Sequence, residues 1–272
     1  MSTVTEAETP RRERGLRLTS RQVRFLALVR RECNRFMKIK RQTVGAPLLE
    51  TFLYISVFGA ALGSRIHTLH GFRYIVFVIP GLIMMAWAMN AFSNNASSIL
   101  QQKFQRSIDD QLSSPASPTE LLIAFSLGGF LRGGLVALLT FVAASFLVDL
   151  PVEHVLVLIP GLFLVGFFFS QLGVLIGVRA EQFDDVAVAQ TFVLTPLIFL
   201  GGVFYSASLL PEPFATLTHL NPVYYMIGIV RYGFLGYHDG NVGLALGVLA
   251  VAVAALSAVN HRLFVTGYRL RA

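Results

Sequence analysis

The 272-residue chain is poor in most of what a soluble catalyst is built from. It has one cysteine, Cys33, so an intrachain disulfide is excluded and no cysteine-based metal site can assemble. Charged residues make up 14% of it against 54% hydrophobic residues, which excludes both a disordered chain and an ordinary soluble domain. No G-x-x-x-x-G-K-S/T, His-Glu-x-x-His or Gly-x-Ser-x-Gly run occurs, so nucleotide, zinc-protease and serine-hydrolase chemistry lack their usual frames. The six histidines (His67, His70, His154, His219, His238 and His261) are scattered, and no acidic, His or Ser cluster forms as a lipid-acting enzyme would need. An apolar leader is also missing. Residues 1–20 are polar and carry Glu6, Glu8 and Glu13, so insertion is expected to use the first spanning helix itself.

What is present is a set of apolar runs of about 18 residues or more, the length a helix needs to cross hydrocarbon. They predict an all-α, polytopic membrane protein with six transmembrane helices at 46–63, 72–93, 121–148, 152–178, 186–204 and 242–259. Pro80-Gly81 is expected to break the second of these, and no internal repeat relates the two halves. The chain divides into a disordered basic tail (1–18), an amphipathic interfacial helix (19–45), the six-helix domain (46–262) and a terminal tail (263–272). Thr19 or Ser20 is the expected helix cap. On the amphipathic helix Phe25, Val29, Cys33 and Phe36 share one face, while Arg24, Arg31, Arg35 and Lys38 are expected to reach lipid phosphates on the other. Twelve of the 22 Lys and Arg precede Pro47, in a basic segment that runs directly into a spanning helix. That placement favours an anchor on anionic lipid over nucleic acid. Counted over all loops, 18 basic residues fall on one side and 3 on the other, so both termini are expected in the cytoplasm.

Polar groups inside the spans are few. Asn90, Asn94 and Asn95 end the second span, and Gln190, Thr191, Thr195 and Pro196 lie in the fifth. Two readings stay open for them: a path between the two helices, or plain interhelical hydrogen bonds. Glu50 and Arg132 are the intramembrane charges, both expected as edge anchors. The pairs Gly59/Gly63, Gly129/Gly133, Gly173/Gly177 and Gly243/Gly247 permit close helix approach. Between the fifth and sixth spans a Pro- and Tyr-rich stretch, 205–241, predicts an outer re-entrant helical hairpin whose Arg231 contacts headgroups. Thr195-Pro196 and Gly201-Gly202 are the expected hinges.

Four stretches carry a likeness: GSRIHTLHGFRYIVFVIPGLIMM, KFQRSIDDQLSSP, FDDVAVAQTFVLTPLIFLGGVFYS and LNPVYYMIGIVRYGFLG. With them the chain resembles, from about Arg21 onward, the integral membrane subunit of ABC-2 type transporters, most of all the YadH-type inner-membrane permeases. It departs in its Arg-rich extension and in the charge at Glu50. The resemblance implies an exporter subunit, not itself an enzyme, in the cytoplasmic (inner) membrane. Two such subunits pair, as a homodimer, over two copies of a separate ATP-binding cassette subunit that holds ATP and Mg. Membrane lipids are the other partner, and no cofactor belongs to this chain. The 19–45 helix, through Phe25, Val29, Cys33 and Phe36, becomes the connecting helix. The loop 106–119 becomes the coupling element that touches the ATPase, through Arg106, Asp109, Asp110, Leu112, Pro115 and Pro118. Asn90, Asn94, Gln190, Thr191, Thr195, Pro196 and Phe199 become path-lining candidates, and 207–237 the outer cap. The substrate class expected is an amphiphile: drug, lipid or glycan. The competing reading, an ion-coupled secondary transporter, would move substrate uphill without a nucleotide-binding partner.

Overall fold

Apolar segments satisfy their backbone groups along themselves, and helices account for most of the described residues. A computed structural model describes residues 19–38, 41–63 and 68–270. Residues 1–18, 39–40, 64–67 and 271–272 lie outside them.

The first helix, α1 (Ser20–Lys38), is capped reciprocally by Thr19: its Oγ1 accepts from the Gln22 N–H at 3.4 Å, and Gln22 Oε1 accepts from the Thr19 N–H at 2.9 Å. Helix α2 (Ala46–Ser56) has Pro47 in its first turn and is flanked by π-helical turns, Arg41–Gly45 and Val57–Leu62. A two-stranded hairpin, β1 (Thr68–Leu69) with β2 (Phe72–Arg73), leads into α3 (Tyr74–Phe104). Helix α4 (Ser107–Leu112) follows a left-handed Arg106 (φ 54). Ser117 and Glu120 form a capping box for α5 (Pro118–Ser145), with Pro118 at its start. Next come α6 (Val155–Arg179), α7 (Phe183–Val188), a π-helical turn (Ala189–Leu194) and α8 (Thr195–Leu200). Short helices α9 (Phe214–Leu220) and α10 (Pro222–Leu235) precede α11 (Val242–Thr266), which runs past the boundary expected at 262.

Five helical stretches among the described residues are long and apolar enough to cross a membrane: Tyr74–Phe104, Pro118–Ser145, Val155–Arg179, Phe183–Leu200 and Val242–Thr266. The remaining expected span is a shorter apolar helix, Thr43–Gly59, which contains Glu50. Pro80 does not break α3 as expected. The helix passes through it unbroken, with Phe77, Val78, Ile79 and Leu82 fully packed around the missing donor.

Helix α3 is the centre of the bundle. Of its most apolar window 78% is buried, against 17% for Phe183–Leu200 and 11% for α11. Glycine decides how closely its neighbours come. A Cβ on Gly133 would lie 2.5 Å from the Trp87 ring, and one on Gly173 would lie 2.4 Å from the Phe92 carbonyl oxygen. The pairs 129/133 and 173/177 thus seat α5 and α6 on α3, whereas Gly247 faces open space. Gly173→Val is expected to destabilise the chain by about 3 kcal/mol, since the obstacle is backbone. A Gly247→Val control should melt like the parent in a detergent unfolding assay.

Arg231 on α10, expected at the headgroups, is only 4% exposed. Its Nη2 donates to the Gly202 carbonyl at 2.9 Å and its guanidinium lies 3.8 Å from the Phe77 ring centre. Buried carbonyls and a π face replace water as its partners.

Candidate functional site

Nine of the first fourteen charges along the chain are arginine, so an acid within α1 is conspicuous only once its neighbours are known. Glu32 is 1% exposed. A buried carboxylate is tolerated only when paired and fully hydrogen-bonded, and Glu32 meets both conditions. Its Oε1 accepts from Arg31 Nη2 at 3.0 Å and from Gln102 Nε2 at 3.2 Å. Its Oε2 accepts from Ser98 Oγ at 2.7 Å and from Arg35 Nε at 3.4 Å. Both arginines reach onward. Arg31 Nη2 donates to Gln111 Oε1 at 2.8 Å and Gln102 Oε1 at 3.2 Å, and Arg35 Nη2 to the Asn94 Oδ1 at 2.6 Å and carbonyl oxygen at 2.8 Å. Gln111 Nε2 also donates to Gln102 Oε1. One carboxylate therefore ties α1 to the C-terminal half of α3 and, through Gln111, to α4.

Helix α5 closes the other side. A Cβ on Gly128 would come within 2.8 Å of the Glu32 Cβ, so glycine is what lets α1 lie this close. Nearer the helix start, Glu120 accepts from Arg21 Nε at 2.5 Å and sits 3.6 Å from Arg24 Nη2. Below, an apolar cluster joins Ile108 of α4 to Ile99, Leu121, Phe125, Phe264 and Leu270, with Leu28 and Leu112 packed against it. Burial, then the Glu32 charge, pushes the Cys33 thiol up, so it is held as a thiol. Burial draws Arg35 down against the opposing pull of Glu32.

The sequence-predicted residues fall as follows. On α1, Phe36 is buried, and Phe25, Val29 and Cys33 are half-covered. Arg24, Arg31 and Arg35 do not point toward lipid phosphates as expected; they turn inward, because Glu32, Asn94, Gln111 and Glu120 offer fixed acceptors there. Lys38 is exposed. In the 106–119 loop, Arg106, Asp110 and Pro115 are exposed, Asp109 and Leu112 are half-buried, and Pro118 opens α5. Asp109 lines a cleft of ≈ 250 Å³ with Lys103, Glu181 and Arg269.

The two sets of path candidates are not brought together within one chain. Asn94 is enclosed by α1 and α5, and Asn95 donates to Ser170 Oγ at 2.7 Å and its carbonyl at 2.9 Å, an interhelical role. Asn90 caps the Ala86 carbonyl at 3.0 Å beside a small cleft lined by Glu50 and Tyr54. Gln190 and Thr195 are half-buried and joined, Thr195 Oγ1 donating to the Gln190 carbonyl at 3.0 Å, whereas Thr191, Pro196 and Phe199 are exposed. Glu50 is exposed, but Arg132, expected as an edge anchor, is buried. Glu32 was missed because nothing in the sequence says which face of α1 is covered. Its signal is a lone acid on an apolar-basic helix. No three His, Cys, Asp or Glu side chains gather as a metal site among the described residues.

Comparison with known proteins now bears on this arrangement. The family described as ABC-2 type transporter matches residues 23–235. The inner membrane transport permease YadH of Escherichia coli is 44% identical over 242 residues, 89% of this chain and 94% of that protein. Nodulation protein J of Sinorhizobium fredii is 24% identical over 231 residues, 84% of this chain and 87% of its own. With a family match over most of its length and a relative this similar over nearly all of it, the chain belongs to the ABC-2 type transporter family of multi-pass membrane permease subunits.

Proposed function

We propose that this chain is the membrane-spanning permease of an ATP-driven exporter in the inner membrane, moving an amphiphile of the drug, lipid or glycan class. Two copies form a homodimer, and two ATP-binding cassette subunits, carrying ATP and Mg, dock at the α1–α4 end. The helix Thr43–Gly59, lengthened by its flanking turns, serves as the sixth span. Both termini then lie in the cytoplasm, in keeping with the 18 to 3 division of basic residues. α9 and α10 form the re-entrant outer cap. α3 and the α7–α8 stretch line the path across the dimer, and the exposed Phe192, Val193 and Phe199 find their cover on the second copy or in lipid.

The observation that carries this reading is the Glu32 network. A push on α4 meets Gln111, which holds Arg31, which holds Glu32, which holds Ser98 and Gln102 of α3. Fixed, desolvated bonds of this kind transmit displacement rather than absorb it. ATP-driven closure of the partner therefore shifts α4, α1 and the inner half of α3 as one body, and the path opens outward.

Replacing Asp109, Asp110 and Leu112 together by alanine tests the docking role of α4. ATPase stimulation by the permease in the assembled complex is expected to fall roughly tenfold. Full stimulation with normal assembly would sink the coupling claim, and uphill transport by the permease alone would sink the ATP-driven one.

A further inference from the structure

Arg132 lies on α5 four residues beyond Gly128, on the same face and one turn, about 6 Å, further from the α5 start. Gly128 is the point where Glu32 and the Asn94 amide press on α5. Arg132 is 7% exposed, and its Nε is buried without a hydrogen-bond partner. Among the described residues no carboxylate comes within ion-pair distance of it. A second guanidinium, that of Arg35, is held toward the Gly128 face of α5 by the Asn94 Oδ1 at 2.6 Å. Glu32 cannot serve, since four donors already occupy its two oxygens.

A guanidinium does not shed its proton in a protein, and burying one unpaired costs several kcal/mol. Intramembrane cations pair with other charges or backbone carbonyls or mark substrate and ion pathways, and Arg132 Nε has no such partner in the protein. We propose that Arg132, backed by Arg35, binds the acidic head of an amphiphile, a phosphate or a carboxylate. The planar fork suits two oxygens of either group. Roughly a third of a turn round α5 from Arg132, Leu131 is 41% and Leu138 57% exposed, an apolar surface for a tail. This site goes beyond the exporter reading, and its binding step stands whether or not an ATPase partner docks.

The test compares the purified full chain with Arg132→Met and Arg132→Gln in neutral detergent. Melting temperature is read alone and with phosphatidylglycerol, phosphatidylcholine or inorganic phosphate. Without an anion, Arg132→Met is expected to melt no lower than the parent, because it removes an unpaired buried cation. Phosphatidylglycerol is expected to raise the parent by several degrees and each variant by less than half as much, with phosphatidylcholine moving none. If phosphate alone gives the parent the same gain and the variants none, the anion site stands and its source is a free anion. Equal gains in parent and variants overturn the proposal, as does no gain in any. Failure of both variants to fold also overturns it, since the guanidinium would then be held by the protein itself.

Discussion

Glu32→Gln is expected to loosen the α1 end of the bundle and cut ATPase stimulation by the permease as severely as removal of the α4 side chains. The substitution is nearly isosteric, so packing against Gly128 is unchanged. Its chemistry is not. A carboxylate accepts from four donors, two of them on arginines. An amide offers one oxygen, and its NH₂ must face donors on the other side. Arg35, itself only 21% exposed, loses its counter-charge. Breaking a buried pair in this way costs about 3 kcal/mol, the low end of the usual range because Arg31 still reaches solvent. That corresponds to a melting shift of roughly 10 °C for a domain of this size. Glu120→Gln is the internal comparison. Its partner Arg21 is 74% exposed, so water replaces the lost charge and the drop is expected to be far smaller. Equal shifts for the two variants would show that the network does not anchor α1.

These contrasts mark where sequence reading reached its limit. Span positions were legible because hydropathy is a local property of about 18 residues. The 72–93 run emerged as α3 and the 242–259 run as α11, each within a longer helix. Glycine pairs were legible as candidates only. Which of them meet a neighbour depends on α3 lying between α5 and α6, and nothing local to Gly173 distinguishes it from Gly247. The α1 arginines show the same limit more sharply. A helical wheel divides the helix into apolar and basic faces and sends the charges to lipid. The fold instead covers a face that contains Glu32, because acceptors on three other helices, Asn94, Gln111 and Glu120, wait there. Amphipathicity reports what a helix could bury, and the partners decide what it does bury. The coupling reading of 106–119 came from family likeness; the path reading rested first on the few polar groups of the second and fifth spans, and the α7–α8 half of that set stands on an exposed face of the single chain.

Arg231→Ala is the second change with a large expected effect, and it acts at the opposite end. The side chain joins three pieces far apart in sequence. It starts on α10, donates through Nη2 to the Gly202 carbonyl at 2.9 Å, and through Nε to the Phe77 carbonyl at 3.4 Å. Gly202 has φ 89, so its turn is one that other residues resist and its carbonyl is held in a fixed direction. The guanidinium also lies on the Phe77 ring, and Phe77 is fully buried in the first turns of α3. Truncation removes a desolvated cation–π contact and leaves the Gly202 carbonyl short of a donor, together about 3 kcal/mol. Arg231→Lys should recover only part of this, since an ammonium keeps the charge but not the fork that spans two acceptors. Accessibility at Ser206, fully buried just beyond that turn, reads the consequence directly. In a Cys33→Ser background, Ser206→Cys is expected to resist a polar maleimide while Arg231 is intact and to label rapidly when it is alanine. Unchanged labelling, with a melting temperature equal to the parent's, would mean that Arg231 does not pin the cap. Rapid labelling would mean that one buried cation holds α10 and the turn after α8 against α3, where a wheel or a charge count places a headgroup contact.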